Sequence, residues 1–492
     1  MFGYSGLVFT LVRNVLLVPL YLQHIDLGEY GAWLATGGAL VQLLVTDFGL
    51  SGVITQRVAM RAGSADLAAM RALISAGLAN AIVLGLALAA ASSLVAAWLP
   101  ATQGLRPEQV TRVLDCYLIA VAANACGVFS MAALAALRGA QRPAAAGSVT
   151  MVADVASVIV TLVCLYAGLD LYAIAYGLLA RSGIAAVGAV ASLASIFRHA
   201  KDDWRPRWRE SLDMWRDSAR FFVTSIAMRL QSQANILFVG SVLGPQVAAV
   251  YGLTVRAHET VLIVVAQLNS AFGPVLAHLA GTGNLDRLNS VIRSLLPLVA
   301  ALAAVGAVSV AVLNHSFVSL WVGSHAYGGA TLTILMAVAM WVTSLAYVGY
   351  EALLARGEFS FIARIFAIGS VLHVVMLVAA LSWLGAWGAP LALVVSSLCW
   401  GSLAWGKVAA DARPVASLRG ALGEVALIGA VACIAAAALL NLLPLATSWA
   451  ALAAEGVLCA VAVAAVLLVV HPALQRTLRS EIVTTLRALR AA

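Results

Sequence analysis

Apolar stretches of about 20 residues alternate with short polar loops along nearly the whole chain. Each stretch is long enough to cross the hydrocarbon core of a bilayer as a helix. The predicted spans are 3–22, 31–53, 72–98, 109–137, 143–167, 171–196, 219–241, 247–275, 294–313, 327–352, 362–384, 386–406, 421–443 and 448–470. The pattern therefore predicts an all-α polytopic membrane protein with about 14 transmembrane helices.

One long polar stretch, 197–218, interrupts this alternation. Its tryptophans Trp204, Trp208 and Trp215, with Leu212, form an apolar stripe opposite a basic one, as in a helix lying in a membrane interface. A solvated linker anchored by aromatic residues is the alternative. The stretch divides the chain into an N-lobe of six spans (1–196), the amphipathic linker (197–218), a C-lobe of six spans (219–406), a loop (407–420), two further spans (421–470) and a basic tail (471–492).

The distribution of basic residues orients the chain. Most of the 29 lysines and arginines fall on one side of this arrangement, and only Arg106 and Arg112 fall on the other. Short loops rich in lysine and arginine stay in the cytoplasm. We therefore expect both termini in the cytoplasm, and the net charge of +8 needs no nucleic-acid partner.

The two halves of the chain echo each other. Leu27-Gly28 is followed by Tyr30-Gly31, and Leu243-Gly244 is followed by Tyr251-Gly252. Arg13 and Arg229 precede Gly28 and Gly244 by the same number of residues. Because both halves start on the same side, this predicts a parallel repeat with a pseudo-twofold axis along the membrane normal.

Four arginines lie well inside predicted spans, where each costs about 2.5–3.5 kcal/mol at a helix centre. Arg256 is followed one helical turn later by Glu259, so an intrahelical pair is the simplest interpretation. Arg181 is at a height from which it can reach Asp154 on the preceding helix. For both arginines, structural pairing and substrate binding remain alternatives.

The other two arginines have no acid nearby in sequence and occupy equivalent positions in the repeat. Arg13 and Arg229 are predicted to face a cavity and to form a cationic site for a phosphate or pyrophosphate. The alternative is that each pairs with a buried acid or carbonyl elsewhere.

Several neutral polar residues and one acid also lie in or at the ends of spans. Gln42, Gln231, Gln233 and Asn235 are suited either to hydrogen bonds between helices or to contacts with sugars. Asp47 is interpreted as part of a gate or of a structural pair.

Composition narrows the class of function. Hydrophobic residues make up 63% of the chain and charged residues 10%, and the six cysteines are scattered singly. No clustered histidines, CxxC pair or catalytic constellation is present in the sequence. We therefore expect neither an enzyme nor a metal or cofactor, and transport energy would come from an H⁺ or Na⁺ gradient, the substrate gradient or the membrane potential.

The opening of the chain resembles the Wzx-type polysaccharide flippases of the MOP exporter superfamily, which also contains the lipid II flippase MurJ and the MATE drug antiporters. The resemblance is carried by Arg13 and Pro19 in the first span, the Leu-Gly-Glu-Tyr-Gly-Ala-Trp turn at 27–33, and Asp47-Phe48-Gly49-Leu50. The layout of two six-helix groups with extra carboxy-terminal helices is similar over essentially the whole chain.

The resemblance implies two six-helix lobes around a central cavity that opens alternately to each face of the bacterial inner membrane. The substrate would be an oligosaccharide on a polyprenyl pyrophosphate, used for O-antigen or exopolysaccharide synthesis. Arg13 and Arg229 would bind the pyrophosphate, and similarity to MurJ would make the last two helices a groove for the lipid tail. The expected form is a monomer whose partners are membrane lipids and polysaccharide polymerase or assembly proteins.

Three other functions compete with this one. A MATE-like ion-coupled exporter usually carries an acid in its first or seventh helix, where this chain has arginine, and a cationic drug would be repelled. A lipid II flippase would use the same architecture for a different glycan. A membrane scaffold for glycan assembly gains nothing from buried charge, which speaks against it.

Overall fold

The computed structural model describes residues 16–40, 47–63, 67–96, 104–196, 208–281, 285–410 and 416–470. These residues are helical with short connections, and no strand occurs among them. The helices are α1 (16–24), α2 (Leu27–Trp33), a π-helical segment (Leu34–Leu40), α3 (Leu50–Gly63), α4 (Leu67–Ala96), α5 (Pro107–Gly139), α6 (Pro143–Tyr166), α7 (Tyr172–Ile196), α8 (Trp208–Leu243), α9 (Pro245–Thr254), α10 (Arg256–Gly281), α11 (Leu285–Val322), α12 (Ala330–Ala355), α13 (Phe359–Leu384), α14 (Gly388–Ala410), α15 (Ala416–Leu442) and α16 (Trp449–Val470).

The protein is an all-α polytopic membrane protein. Within the described ranges, nine helical segments are long and apolar enough to cross a membrane, and a tenth is obtained if the bent pair α9 and α10 counts as one span. One of the nine, Ser360–Ala410, contains both α13 and α14. The predicted spans from 72–98 to 171–196 and from 294–313 to 448–470 coincide with these segments. The prediction for 3–22 falls largely outside the described residues.

The chain forms two compact units, Met1–Ala249 and Val250–Ala492. In the first, α7 packs along both α5 and α6, and α4 and α3 pack against α5. Small residues let these helices approach closely. A side chain on Gly177 of α7, for example, would overlap the Thr161 hydroxyl of α6.

The start of α8 also belongs to this packing. Its Ser211 and Met214 are buried, and Asn80 of α4 donates to the Ser211 carbonyl at 3.1 Å. Trp208 and Leu212 lie on the exposed side of the same turns. The rest of the predicted linker, 197–207, lies outside the described residues.

In the second unit, α11 is the central helix. It packs against α10 and α12 and against the two carboxy-terminal helices α15 and α16. The chain bends by 43° between α9 and α10. Asn314 of α11 stabilises the bend because its amide donates to the Thr254 carbonyl at 2.9 Å and to the Thr333 hydroxyl at 3.1 Å.

Candidate functional site

The ion pair expected between α6 and α7 is present. Arg181 Nε lies 2.5 Å from Asp154 Oδ1, and the Asp154 side chain is 6% exposed whereas Arg181 is 44% exposed. The buried carboxylate therefore has a charged partner on the neighbouring helix. The guanidinium is only partly covered, and a role of Arg181 in substrate binding stays a prediction.

The expected intrahelical pair is also present. Arg256 Nη1 lies 3.1 Å from Glu259 Oε2, one turn along α10. Glu259 is the more exposed of the two side chains. This contact balances the charge of Arg256, while a role in binding stays a prediction.

The polar residues predicted on the seventh span all lie on α8 and fall on two faces. Gln231 and Asn235, one turn apart, are buried, whereas Arg229 and Gln233, also one turn apart, are partly exposed. Arg229 and Gln231 both interact with other groups in the structure. The partly exposed face of α8 thus presents a cation and an amide together, a combination that suits a phosphate bearing a sugar.

Asp47 has a local role. Its carboxylate accepts hydrogen bonds from the Gly49 and Ser51 amides at 3.2 and 3.1 Å, and it thereby satisfies free N–H groups at the start of α3. This geometry is that of a helix cap. Arg13 and Gln42, the remaining predicted site residues, lie outside the described residues, and among the described ones no group of histidines, cysteines and acids could hold a metal ion.

The two repeat-equivalent turns contact each other. A side-chain carbon on Gly31 of α2 would overlap the Pro245 carbonyl of α9, at 2.7 Å from the carbonyl carbon and 2.9 Å from the Ala249 amide nitrogen. A side-chain carbon on Gly28 would lie 3.7 Å from Gln246. Only a residue without a side chain permits this backbone-to-backbone approach. Here we call it the α2–α9 contact.

Beside this contact lies a charged cluster that sequence reasoning missed. Arg112 Nη1 lies 3.3 Å from Glu29 Oε2 and 3.1 Å from Asp170 Oδ2. Glu29 is 3% exposed, and Asp26 caps α2 by accepting from the Gly28 amide at 2.9 Å. The available signal was Arg112 itself, an arginine on the sparsely basic side of the predicted topology.

Glu29 lies outside the membrane-spanning segments, in the turn that precedes the second predicted span. Burial raises the pKa of its carboxyl above the usual range, and the Arg112 guanidinium acts in the opposite direction. Asp26 and Asp170 raise the pKa further, and a hydrogen bond with Gln109 lowers it. Desolvation is the largest of these effects.

The second unit contains an apolar groove of about 670 Å³. It is lined by side chains from α11, α12, α14 and α15, including Trp341, Trp405 and Leu422. On α14 the lining runs from Ser397 to Ala409, which is about 18 Å at 1.5 Å per residue.

The polar groups of the groove are satisfied within the protein. Trp341 and Trp405 donate their indole N–H groups to the Ala300 and Leu345 carbonyls at 3.0 and 3.1 Å. The Ser397 hydroxyl bonds to Thr343 at 2.9 Å, and the Ser402 hydroxyl donates to backbone carbonyls of its own helix. The groove therefore offers a hydrocarbon surface and suits an apolar chain.

Comparisons with solved structures identify the fold. A structure of the lipid II flippase MurJ in an inward closed conformation aligns with a TM-score of 0.69 and 11% identity, covering 95% of this chain and 98% of MurJ. An inward-facing multidrug resistance MATE transporter of the MOP superfamily aligns with a TM-score of 0.63 and 14% identity, covering 82% of this chain and 98% of the transporter. A MATE transporter of Vibrio cholerae, VcmN, aligns with a TM-score of 0.59 and 13% identity, covering 82% of this chain and 93% of VcmN.

At these identities the likeness establishes a MOP-superfamily transporter fold and nothing finer. No curated protein matches the chain. A family model described as "Polysaccharide biosynthesis protein" matches residues 31–328, which is more than half of the chain. The match begins at Gly31 within α2 and includes the π-helical segment, α8 and α9. The predicted resemblance is confirmed. The chain belongs to this polysaccharide biosynthesis protein family, within the fold of the MOP transporters.

Proposed function

We propose that the protein is a flippase that moves a polyprenyl-pyrophosphate-linked oligosaccharide across the bacterial inner membrane for O-antigen or exopolysaccharide synthesis. Its polyprenyl tail lies in the apolar groove, and its pyrophosphate binds arginine. Both termini are cytoplasmic, and the protein changes no covalent bond of its cargo.

The apolar groove is the observation that carries the proposal. Its length of about 18 Å and its satisfied polar groups fit a long hydrocarbon chain and offer nothing that would recognise a small polar solute. One wall is provided by α15, which follows the two predicted six-span lobes. The family description as a polysaccharide biosynthesis protein supports a glycan on that lipid.

The head-group part of the proposal rests on α8. Arg229 is partly exposed within a predicted span and shares its helical face with Gln233. A guanidinium binds pyrophosphate oxygens bidentately, and an amide can both donate to and accept from a sugar hydroxyl. Arg13 is the repeat-equivalent partner in this proposal.

The test is mass spectrometry of polyprenyl-linked lipids from cells that lack this gene, with the sidedness of any accumulated glycan measured by an impermeant glycan-binding probe. A lipid-linked oligosaccharide confined to the cytoplasmic face is the expected result, and wild-type protein should clear it. An unchanged lipid pool in cells that also lack redundant flippases would overturn the proposal in favour of export of a small molecule.

Two pairs of variants assign the parts of the site. R229A and A426F, which places a ring in the groove, should fail to clear the lipid although they insert normally. R216A, which removes an exposed arginine of the same helix, and A438F, on another exposed position of α15, should clear it. Clearance by R229A would remove the pyrophosphate role of Arg229, and clearance by A426F would remove the tail from the groove.

A further inference from the structure

The charged cluster beside the α2–α9 contact is not used by the proposed binding of lipid and glycan. Glu29 is almost fully buried, and only Tyr30 separates it from Gly31, whose backbone packs on Pro245. Any movement of α2 away from α9 therefore also moves Glu29. Because α2 is short and begins at a defined cap on Asp26, the two residues move as one body.

The charges around Glu29 do not balance. Asp26 faces it from its own turn, Asp170 from the connection between α6 and α7, and Arg112 from α5. Among the described residues, Glu29 and Asp170 thus share the Arg112 guanidinium while Asp26 adds a third negative charge, and Arg112 lies closer to Asp170 than to Glu29. Adding a proton to Glu29 removes the one negative charge that is buried, while the more exposed Asp170 keeps its partner.

Access to this site is also defined by the structure. The Arg112 and Asp170 side chains are 33% and 35% exposed, so water reaches the cluster through them although Glu29 is covered. The predicted topology places all three on the face opposite the cytoplasm. A proton from that face would reach Glu29 through water at the exposed side of the cluster, because the guanidinium itself does not release a proton.

We propose that Glu29 is a proton-binding site whose occupancy controls the α2–α9 contact: protonated Glu29 holds α2 packed against α9, and its deprotonation releases α2. This gives the proposed flippase, on which the inference rests, a chemical identity for its coupling ion, H⁺. Protonation favours the closed contact because Glu29 is buried there, and a state that covers Glu29 binds the proton more tightly than a state that exposes it to water.

Two effects oppose each other at this site, and the measurement decides between them. If the ion pair with Arg112 dominated, the charged form would hold α2 in place and acid would release it. The raised pKa of Glu29, caused first by its burial, indicates that desolvation dominates. Acid should therefore close the contact and alkali should open it.

The test measures the distance between spin labels at Gln23 and Gln246, both exposed, by pulsed electron paramagnetic resonance on the full chain in lipid nanodiscs. The six native cysteines are replaced first. A single short distance is expected in acid, and a longer population should grow as the pH is raised past the pKa of the Glu29 carboxyl. This readout needs no substrate, so it stays interpretable if the flippase assignment fails.

Variants make the assignment specific. E29Q, which resembles the protonated form, should show only the short distance at every pH, and E29D should restore the pH dependence. D170N is the matched control, because it neutralises the exposed acid on the same arginine and should still titrate. A wild-type distance that ignores pH, a longer population that grows in acid, or an E29Q protein that still titrates would each overturn the proposal.

Discussion

Substituting Gly31 by alanine is the most direct test of the α2–α9 contact. The added carbon would overlap the Pro245 carbonyl, with the carbonyl carbon at 2.7 Å and the Ala249 nitrogen at 2.9 Å. Because both neighbours are backbone atoms, no side chain can rotate away. Restoring an ordinary 3.4 Å contact with the carbonyl carbon alone requires a separation of about 0.7 Å, and the carbonyl oxygen, which lies nearer, requires α2 and α9 to separate further still.

The size of the effect follows from the cost of overpacking. Forcing an extra carbon into a tight contact costs about 1–3 kcal/mol. If that cost falls on the closed state alone, the ratio of closed to open molecules drops by about 5- to 150-fold. G31A should therefore populate the longer Gln23 to Gln246 distance even in acid, and transport should fall because the contact no longer closes.

Gly52 of α3 provides the control. It is also helical, but a side-chain carbon there would meet nothing within 4 Å. Alanine exceeds glycine in helix propensity by about 1 kcal/mol, so G52A should melt at or above the wild-type temperature with an unchanged distance distribution. If G31A behaves like G52A in both measurements, the two backbones do not approach as closely as described, and the reasoning fails.

Two further predictions concern the other charged groups. R181A should lower the melting temperature by the equivalent of about 1–3 kcal/mol, because it removes the guanidinium beside buried Asp154. Adding D154N to R181A should recover part of the lost stability. A double variant less stable than R181A would contradict this expectation. D47A should cost about 0.5–2 kcal/mol through the lost cap of α3. D47N keeps one acceptor oxygen for the two N–H groups, so it should recover part of that stability and retain transport. A D47N protein that is folded but inactive would instead show a gating role.

The charged pairs show which contacts sequence can predict. Arg256 and Glu259 lie one turn apart on one helix, so helical geometry alone brings them together. Arg181 and Asp154 lie on consecutive helices, and their heights above a common membrane face predict the pair. Both predictions use only local spacing and the membrane as a reference plane.

Contacts between distant parts of the chain escape this reasoning. Arg112 and Glu29 are 83 residues apart, and hydropathy gives each only a side of the membrane. The groove is equally invisible, because its walls are as apolar as the lipid-facing surfaces of the same helices. Side-chain composition cannot separate a groove from a flat face; only the packing of α11, α12, α14 and α15 does so.

The predicted repeat is intermediate between contacts that local spacing predicts and contacts between distant residues that it does not. The sequence predicts that the turns at Leu27-Gly28 and Leu243-Gly244 are equivalent, but it does not predict that they contact each other. A glycine gives no signal of what it touches, since its function here is to leave room for the Pro245 carbonyl.

The equivalence does predict an asymmetry, because Glu29 of the first turn has no acid at the corresponding place after Gly244, where Pro245 and Gln246 follow. If Glu29 binds the proton, a single proton should control each opening of the contact, so the population of the open state should titrate with a slope of one proton. A steeper slope would require a second acid, and Asp26 and Asp170 would then be the groups to neutralise next.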